Sequence, residues 1–156
     1  MTHTNLETGS RVPDFSAEST EGTIRMEDLL GRKLVLYFYP KDNTPGCNKE
    51  ACAFRDANDV MTELGVEIIG VSKDSLKRHH GFKEKFGLNF PLISDPDGKL
   101  IEAFGAWKKK SMYGKTFMGI DRSTFLIDEE GLIRHIWRKV KVGGHSEAVL
   151  EAVRSL

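Results

Sequence analysis

Only two cysteines occur in this 156-residue chain, too few for the disulfide lattice that small secreted domains use in place of a core. A chain of this length buries a sizeable core without covalent staples, so the two thiols are free for chemistry. Charge of one sign is also lacking. The 23 Lys and Arg residues balance 23 Asp and Glu, so no overall field points towards nucleic acid or an anionic membrane surface. Neutral molecules and other proteins are the expected partners. No long hydrophobic run is present either: the longest, LVLYFY from Leu34 to Tyr39, is far short of the roughly 20 residues a bilayer span requires. The polar opening MTHTNLETGS lacks the basic-then-apolar layout of a secretory signal. A cytoplasmic protein with no membrane partner is expected, and in a reducing compartment a cysteine pair is catalytic, redox-active or metal-binding rather than structural.

Internal repeats, low-complexity tracts and long linkers are absent as well, which predicts one domain over 1–156. What is present is an alternation of short apolar segments. FSAESTEGTIRM (15–26) reads as a hairpin around Thr20-Glu21-Gly22, followed by a short helical turn ended by Gly31. LVLYFY is apolar on both faces, as a central strand covered on each side must be. Residues 45–64 follow a helical period, with Cys47, Ala51, Phe54, Met61 and Leu64 on one broad face. VEIIGVS (66–72) is a second buried strand, and 75–86 a second helix with Asp74 as N-cap. FPLISD (90–95) reads as a third strand and KLIEAFG (99–105) as a third helix. STFLID and LIRHIW flank the turn Glu129-Glu130-Gly131 as an antiparallel hairpin, before a last helix over 146–154. This order predicts an α/β fold: a thioredoxin-like three-layer α/β/α sandwich with a mixed central sheet and an N-terminal hairpin extension.

Both cysteines lie in PKDNTPGCNKEAC, residues 40–52. Thr44 reads as a helix N-cap with Pro45 at the first helical position, where a missing N–H costs nothing. Cys47 then falls in the first turn, near unsatisfied N–H groups and the positive end of the helix dipole, both of which favour thiolate. The dipole alone is too weak. An ordinary cysteine needs about 3 kcal/mol to become mostly ionised at neutral pH, and a helix terminus supplies about 0.3–1 kcal/mol. A cation must contribute the rest, and Lys41, Lys49, Arg55 and Arg122 are candidates. Arg55 lies eight residues along the helix, about 12 Å away by rise. Cys52 sits about 140° around the helix from Cys47 at a Cα separation near 8.6 Å, beyond the roughly 7 Å limit for a disulfide. Bonding would require the first turns to unwind, and Gly46 lowers that cost. Two readings of Cys52 stay open at this point: a resolving thiol, or a small helix residue.

The segment FYPKDNTPGCNKEACAFRD resembles the active-site region of peroxiredoxins of the bacterioferritin comigratory, or peroxiredoxin Q, type. Pro40, Thr44 and Cys47 match the Pro-x3-Thr-x2-Cys motif, and KLVLYFYPKD, FPLISD and MYGKTFMGIDRSTFLID also resemble the family. The resemblance implies a peroxidase that needs no cofactor or metal and is monomeric. Cys47 would attack a hydroperoxide and become a sulfenic acid, and Cys52 would resolve it as a disulfide. Arg122 would pair with the sulfur and the peroxide, beside the Thr44 hydroxyl, while Pro40 shields the sulfur. A thioredoxin-type dithiol would restore the thiols. Glu50, one turn after Cys47, either orients Arg122 or is an exposed surface residue. Asn48 departs from the family, which more often has threonine there.

Other chemistries fit less well. A metal chaperone using both cysteines and a distant histidine needs thiols that converge, and these do not. A disulfide oxidoreductase would present C-x-x-C, and His3, His79, His80, His135 and His145 form no acyl-transfer motif, reading instead as surface or strand residues. A thiol redox sensor shares the first chemical step and remains the closest non-enzymatic alternative. Lys108–Lys110 read as a solvated loop, Trp107 and Trp137 as packing residues, Met26 and Met61 as core residues, and Gly119 as room for the backbone.

Overall fold

Alternation along one strand organises the molecule. In the computed structural model, which describes residues 6–156, β3 (Lys33–Phe38) sends Leu34, Leu36 and Phe38 into one apolar cluster. Val35 and Tyr37 enter another on the opposite face, with Tyr39 just beyond the strand. Neighbouring β4 (Val66–Ser72) divides in the same way, with Ile69 and Val71 on the first face and Ile68 on the second. Strands apolar on both faces need helices on both. One cluster is closed by α1 (Met26–Leu29) and α4 (Lys99–Ala103). The other is closed by α2 (Pro45–Glu63), α3 (Leu76–Phe86) and α5 (His145–Arg154).

The central sheet has seven strands, ordered β2-β1-β5-β4-β3-β8-β9. β3, β4 and β5 (Leu92–Ser94) are parallel, while β8 (Ser123–Ile127) and β9 (Ile133–Trp137) are antiparallel. The expected thioredoxin-like α/β sandwich with a mixed sheet is therefore observed. The N-terminal hairpin, β1 (Ser16–Ser19) with β2 (Gly22–Arg25), extends this sheet by pairing Ser19 with Ile93 of β5. One register positions the site: Phe38 pairs with Ser123, which sets Arg122 beside the end of β3, where the chain turns towards Cys47.

Several local expectations are corrected. Ser75, not Asp74, caps α3, its hydroxyl accepting from Arg78 N–H at 3.2 Å. Asp74 instead accepts from the backbone N–H of Asp42 at 2.8 Å. Thr44 is the N-cap of α2 in extended conformation, but its side chain makes no capping bond and donates to Lys41 O at 3.0 Å. The FPLISD strand is only Leu92–Ser94: Pro91 has no N–H to give the ladder, although its carbonyl accepts from Gly70 N–H at 3.1 Å. Lys108–Lys110 are not a loop. They lie in β6 (Trp107–Met112), which pairs with β7 (Lys115–Ile120) in a separate two-stranded sheet. That segment carries lysines where an alternating strand would show apolar residues, so its period was hidden.

Trp107 packs on the first cluster and Trp137 on the second; Met26 and Met61 are buried in them. Phe125 is fully buried between Phe38 and Phe104, with ring centroids at 5.8 and 5.0 Å, and Arg138 lies over its ring. Phe125→Ala is expected to lower stability by about 3–5 kcal/mol, measured as the shift of the urea midpoint at constant slope.

Candidate active site

The strand β3 ends at a loop that returns the chain into α2, and the first turn of α2 carries the reactive candidate. Pro45 and Gly46 open the helix and Cys47 is the third residue, fully buried and unpaired. Asn48 N–H donates back to Thr44 O at 2.8 Å, closing the first turn. β8 brings Arg122 across 75 residues of sequence, and its Nη2–H donates to Cys47 Sγ at 3.4 Å. Lys41 and Lys49 are both exposed, so of the cations considered from sequence it is Arg122 that meets the sulfur.

Glu50 settles between its two expected placements. It is 1% exposed and its Oε1 accepts from Arg122 Nη1–H at 2.6 Å. A guanidinium has donors in a fixed fork, so gripping one arm from Glu50 aims the other at the sulfur. Gly46 has a second structural reason beyond helix weakening, because a Cβ there would stand 3.3 Å from Arg122 Nη2. Pro40 is exposed where β3 ends, and Thr44 is half-buried.

The electrostatics of this cluster is a competition for one cation. Burial pushes the Glu50 carboxyl up to about 7, and Arg122 offsets that only in part. Burial works against the Arg122 cation, yet Glu50 and then Cys47 outweigh it and raise its pKa. Tyr37, beneath the site, is raised well above its ordinary value by burial, then by Glu50 and Cys47, so its hydroxyl stays protonated. Tyr37 Oη, Asn48 Oδ1 and Glu50 Oε2 are buried with no hydrogen-bond partner among the described residues. All three belong to β3 or the first two turns of α2.

Two histidines read from sequence as surface or strand residues are buried instead. His145, at the start of α5, holds the Thr124 hydroxyl at 2.7 Å through Nε2. Burial, helped by Arg122, lowers its pKa to about 4, so it is neutral at physiological pH. His79 on α3 is fully buried, with Nε2 at 2.9 Å from Ile93 O and Nδ1 at 2.7 Å from Asp42 Oδ2. A backbone carbonyl only accepts, so Nε2 carries a proton. The contact at Nδ1 then needs one more, shared with the carboxyl. Tyr39 Oη donates to Asp42 Oδ1 at 2.6 Å. Asp42 lies two residues before Thr44, so this network pins the loop that leads into α2. Asp42, Asp74 and His79 are near enough to hold a metal ion, but their polar atoms already bond to one another, Tyr39, Ser72, Arg78 and Ile93. Sequence periodicity offers no sign of this network, because its members come from the loop after β3, from β4 and the loop after it, from α3 and from β5. His3 lies outside the described residues.

A mixed sheet between helix layers, with a cysteine in the first turn after the central strand, defines a thiol-centred protein of thioredoxin-like fold. A family model described as the AhpC/TSA family matches residues 8–136, and the chain belongs to that family, in its Bcp or peroxiredoxin Q branch. Peroxiredoxin Bcp of Bacillus subtilis is 49% identical over 152 residues, covering 97% of each chain. A putative peroxiredoxin Bcp of Coxiella burnetii is 48% identical over 147 residues, 94% of this chain and 97% of that one. Among solved structures, a mutant of Xanthomonas campestris peroxiredoxin Q superposes with a TM-score of 0.89 at 44% identity, covering 99% of both chains. Another structure, covering 90% of both chains at 44% identity and a TM-score of 0.86, is of the bacterioferritin comigratory protein of the same organism. It is described as giving insight into alkyl peroxide reduction from trapped intermediate and ligand complexes.

The raised Glu50 pKa makes stability depend on pH with a definite sign. Between its unfolded value of 4.5 and its folded value of about 7, the folded protein keeps a proton that the unfolded chain has lost, so stability falls as pH rises through that window. Wild type is expected to lose on the order of 2 kcal/mol between pH 5 and pH 8 that Glu50→Gln does not lose. Chemical denaturation of both proteins at the two pH values measures the difference.

Proposed function

We propose that this chain is a thiol peroxidase that reduces hydrogen peroxide and organic hydroperoxides. The observation that carries the reading is the Arg122–Cys47 contact at 3.4 Å in the first turn of α2; the alkyl peroxide reduction described for the Xanthomonas campestris relative supports it. The Cys47 thiolate attacks the terminal oxygen of the hydroperoxide in line with the O–O bond. An S–O bond forms, the O–O bond breaks, and the leaving alkoxide takes a proton to become an alcohol or water. Arg122, the N–H groups of the helix start and the Thr44 hydroxyl, once it turns from Lys41 O, stabilise charge as it moves onto the leaving oxygen. Pro40 keeps water from the sulfur.

The sulfenic acid at Cys47 then condenses with the Cys52 thiol, expelling water and leaving a disulfide. Both cysteines lie on α2, where five residues of regular helix separate their Cα atoms by about 8.6 Å, beyond disulfide reach. The first turns must therefore unwind before the bond closes. A thioredoxin-type dithiol restores both thiols by exchange and leaves as its own disulfide. The polar opening of the sequence and the family resemblance support a cytoplasmic monomer as the protein's working form.

NADPH consumption coupled through thioredoxin and thioredoxin reductase tests the scheme. Cys47→Ser is expected to abolish peroxide-dependent turnover. Cys52→Ser should accumulate a trappable sulfenic acid and fail to turn over with thioredoxin, and full activity in that variant removes Cys52 from the mechanism. Arg122→Ala should slow peroxide attack about 10²–10³-fold, read by stopped-flow, and an unchanged rate overturns the arginine assignment. Oxidation of wild type without sustained turnover would favour a redox sensor over an enzyme.

A further inference from the structure

The balanced net charge conceals a segregated one. Residues 107–120, WKKKSMYGKTFMGI, hold four lysines and no acid, and they fold into the β6–β7 hairpin, whose strands pair only with each other. Exposed apolar bulk collects on the same element. Of the six large hydrophobic residues most exposed among those described, four are here: Met112, Tyr113, Phe117 and Met118.

The turn shows that this exposure is not a requirement of folding. Met112 pairs with Lys115, leaving a two-residue loop in which Tyr113 and Gly114 both have positive φ, 53° and 77°. Asn-Gly or Gly-Gly fills such a turn at least cost, whereas a bulky side chain in the left-handed region is strained. Yet the residue there is a tyrosine, 96% exposed, so it contributes nothing to the core.

Placement distinguishes the kind of partner. Paired residues share a face, so Met118 stands with Lys109 on one side of the ribbon, and Phe117 with Lys110 on the other. Apolar groups therefore stand on both faces of the ribbon, with Met112 and Tyr113 at its tip, instead of paving a single face. A flat protein surface engages one face of a ribbon, whereas a bilayer receives a tip from all sides. Lys109 and Lys110 stand level with Met118 and Phe117, Lys108 lies one pair nearer the base, and Lys115 sits beside the turn. Their flexible stems can follow apolar surface while the ammonium groups remain at headgroup level. On the Phe117 face the hairpin borders a cavity of about 690 Å³ that also includes Arg138 and Lys139, with Asp121 as its one acid. Gly119 gives Lys110 and Phe117 the space to lie there, since a Cβ would meet their side chains at 3.2 and 3.4 Å.

We propose that the β6–β7 hairpin is a docking element for an anionic phospholipid surface, its Met112–Tyr113 tip entering the interface and its lysines pairing with headgroups. This does not depend on the peroxidase reading. It bears on the site all the same, because β7 runs directly into Asp121 and Arg122. Nine extended steps from Tyr113 to Arg122 place the Arg122 Cα no more than about 30 Å from that of Tyr113 at the inserted tip.

Co-sedimentation of the whole protein with vesicles tests the proposal. Wild type is expected to pellet with vesicles of equal parts phosphatidylcholine and phosphatidylglycerol, to stay in solution with phosphatidylcholine alone, and to be released by salt. Lys109→Ser and Lys110→Ser should each weaken binding roughly fivefold. Tyr113→Ser with Phe117→Ser should abolish it, while the circular dichroism spectrum and the Cys47 alkylation rate stay those of wild type. Tyr113→Trp should bind and show a blue-shifted emission on anionic vesicles. Indifference of wild type to lipid charge, or hairpin variants that bind as wild type does, overturns the proposal. So does a surface claimed by another occupant: self-association lost in Tyr113→Ser, or slower turnover with the protein reductant alone, in the absence of vesicle binding.

Discussion

One guanidinium is shared between a sulfur and a carboxylate, and the rest of the site is arranged around that sharing. Arg122 holds Glu50 with one arm at 2.6 Å and Cys47 with the other at 3.4 Å. Neither partner has water to fall back on, since both are about 1% exposed. In such surroundings a single cation does far more than it could at a surface. The same burial raises the Glu50 pKa to about 7, so near neutrality the carboxyl passes between competing with the sulfur for Arg122 and leaving it alone. Glu50 thus both aims the cation and draws on it.

The sharing depends on parts of the fold far from it in sequence. Antiparallel pairing of β3 with β8, with Phe38 opposite Ser123, delivers Arg122 to the loop. The buried Asp42–His79 contact, completed by Tyr39 and Ile93, fixes that loop from the α3 side. Gly46 leaves the space the guanidinium occupies. A small displacement in any of these would be felt at the sulfur, because packed interiors have few voids in which to absorb it.

Rigidity at the cation stands against the mobility that the proposed disulfide demands. Two thiols five residues apart on one helix cannot bond until the helix start opens, and opening releases Cys47 from Arg122. The first two turns offer little resistance of their own. Their cap lacks a side-chain hydrogen bond, Gly46 disfavours helix, and Asn48 Oδ1 and Glu50 Oε2 are buried without partners. Compactness at this point comes from the arginine and the packing beneath it, not from the helix itself. The hairpin on the other side of Arg122 is built differently, with paired strands, a strained turn and apolar groups turned outward.

Much was decided by local pattern. The two-faced apolar run of β3, the Thr-Pro start of α2 and the spacing of Cys47 and Cys52 are short-range features, and short-range stereochemistry carries them from sequence into structure. Features that depend on which side chains meet were open until the chain was folded. Glu50 could have been solvated or buried, Lys41 and Lys49 were as eligible as Arg122 on charge alone, and His79 and His145 carried no periodic signal of burial. The lysine-rich β6 concealed its strand because neither face of a freestanding hairpin need be apolar. Contacts between elements are set by sheet register and helix packing, which no local window contains. In this protein the local sequence therefore placed the sulfur at a helix start and the family resemblance pointed to Arg122, while tertiary structure, by bringing distant elements together, separated Arg122 from Lys41 and Lys49 as the cation in contact and buried the carboxylate that shares it.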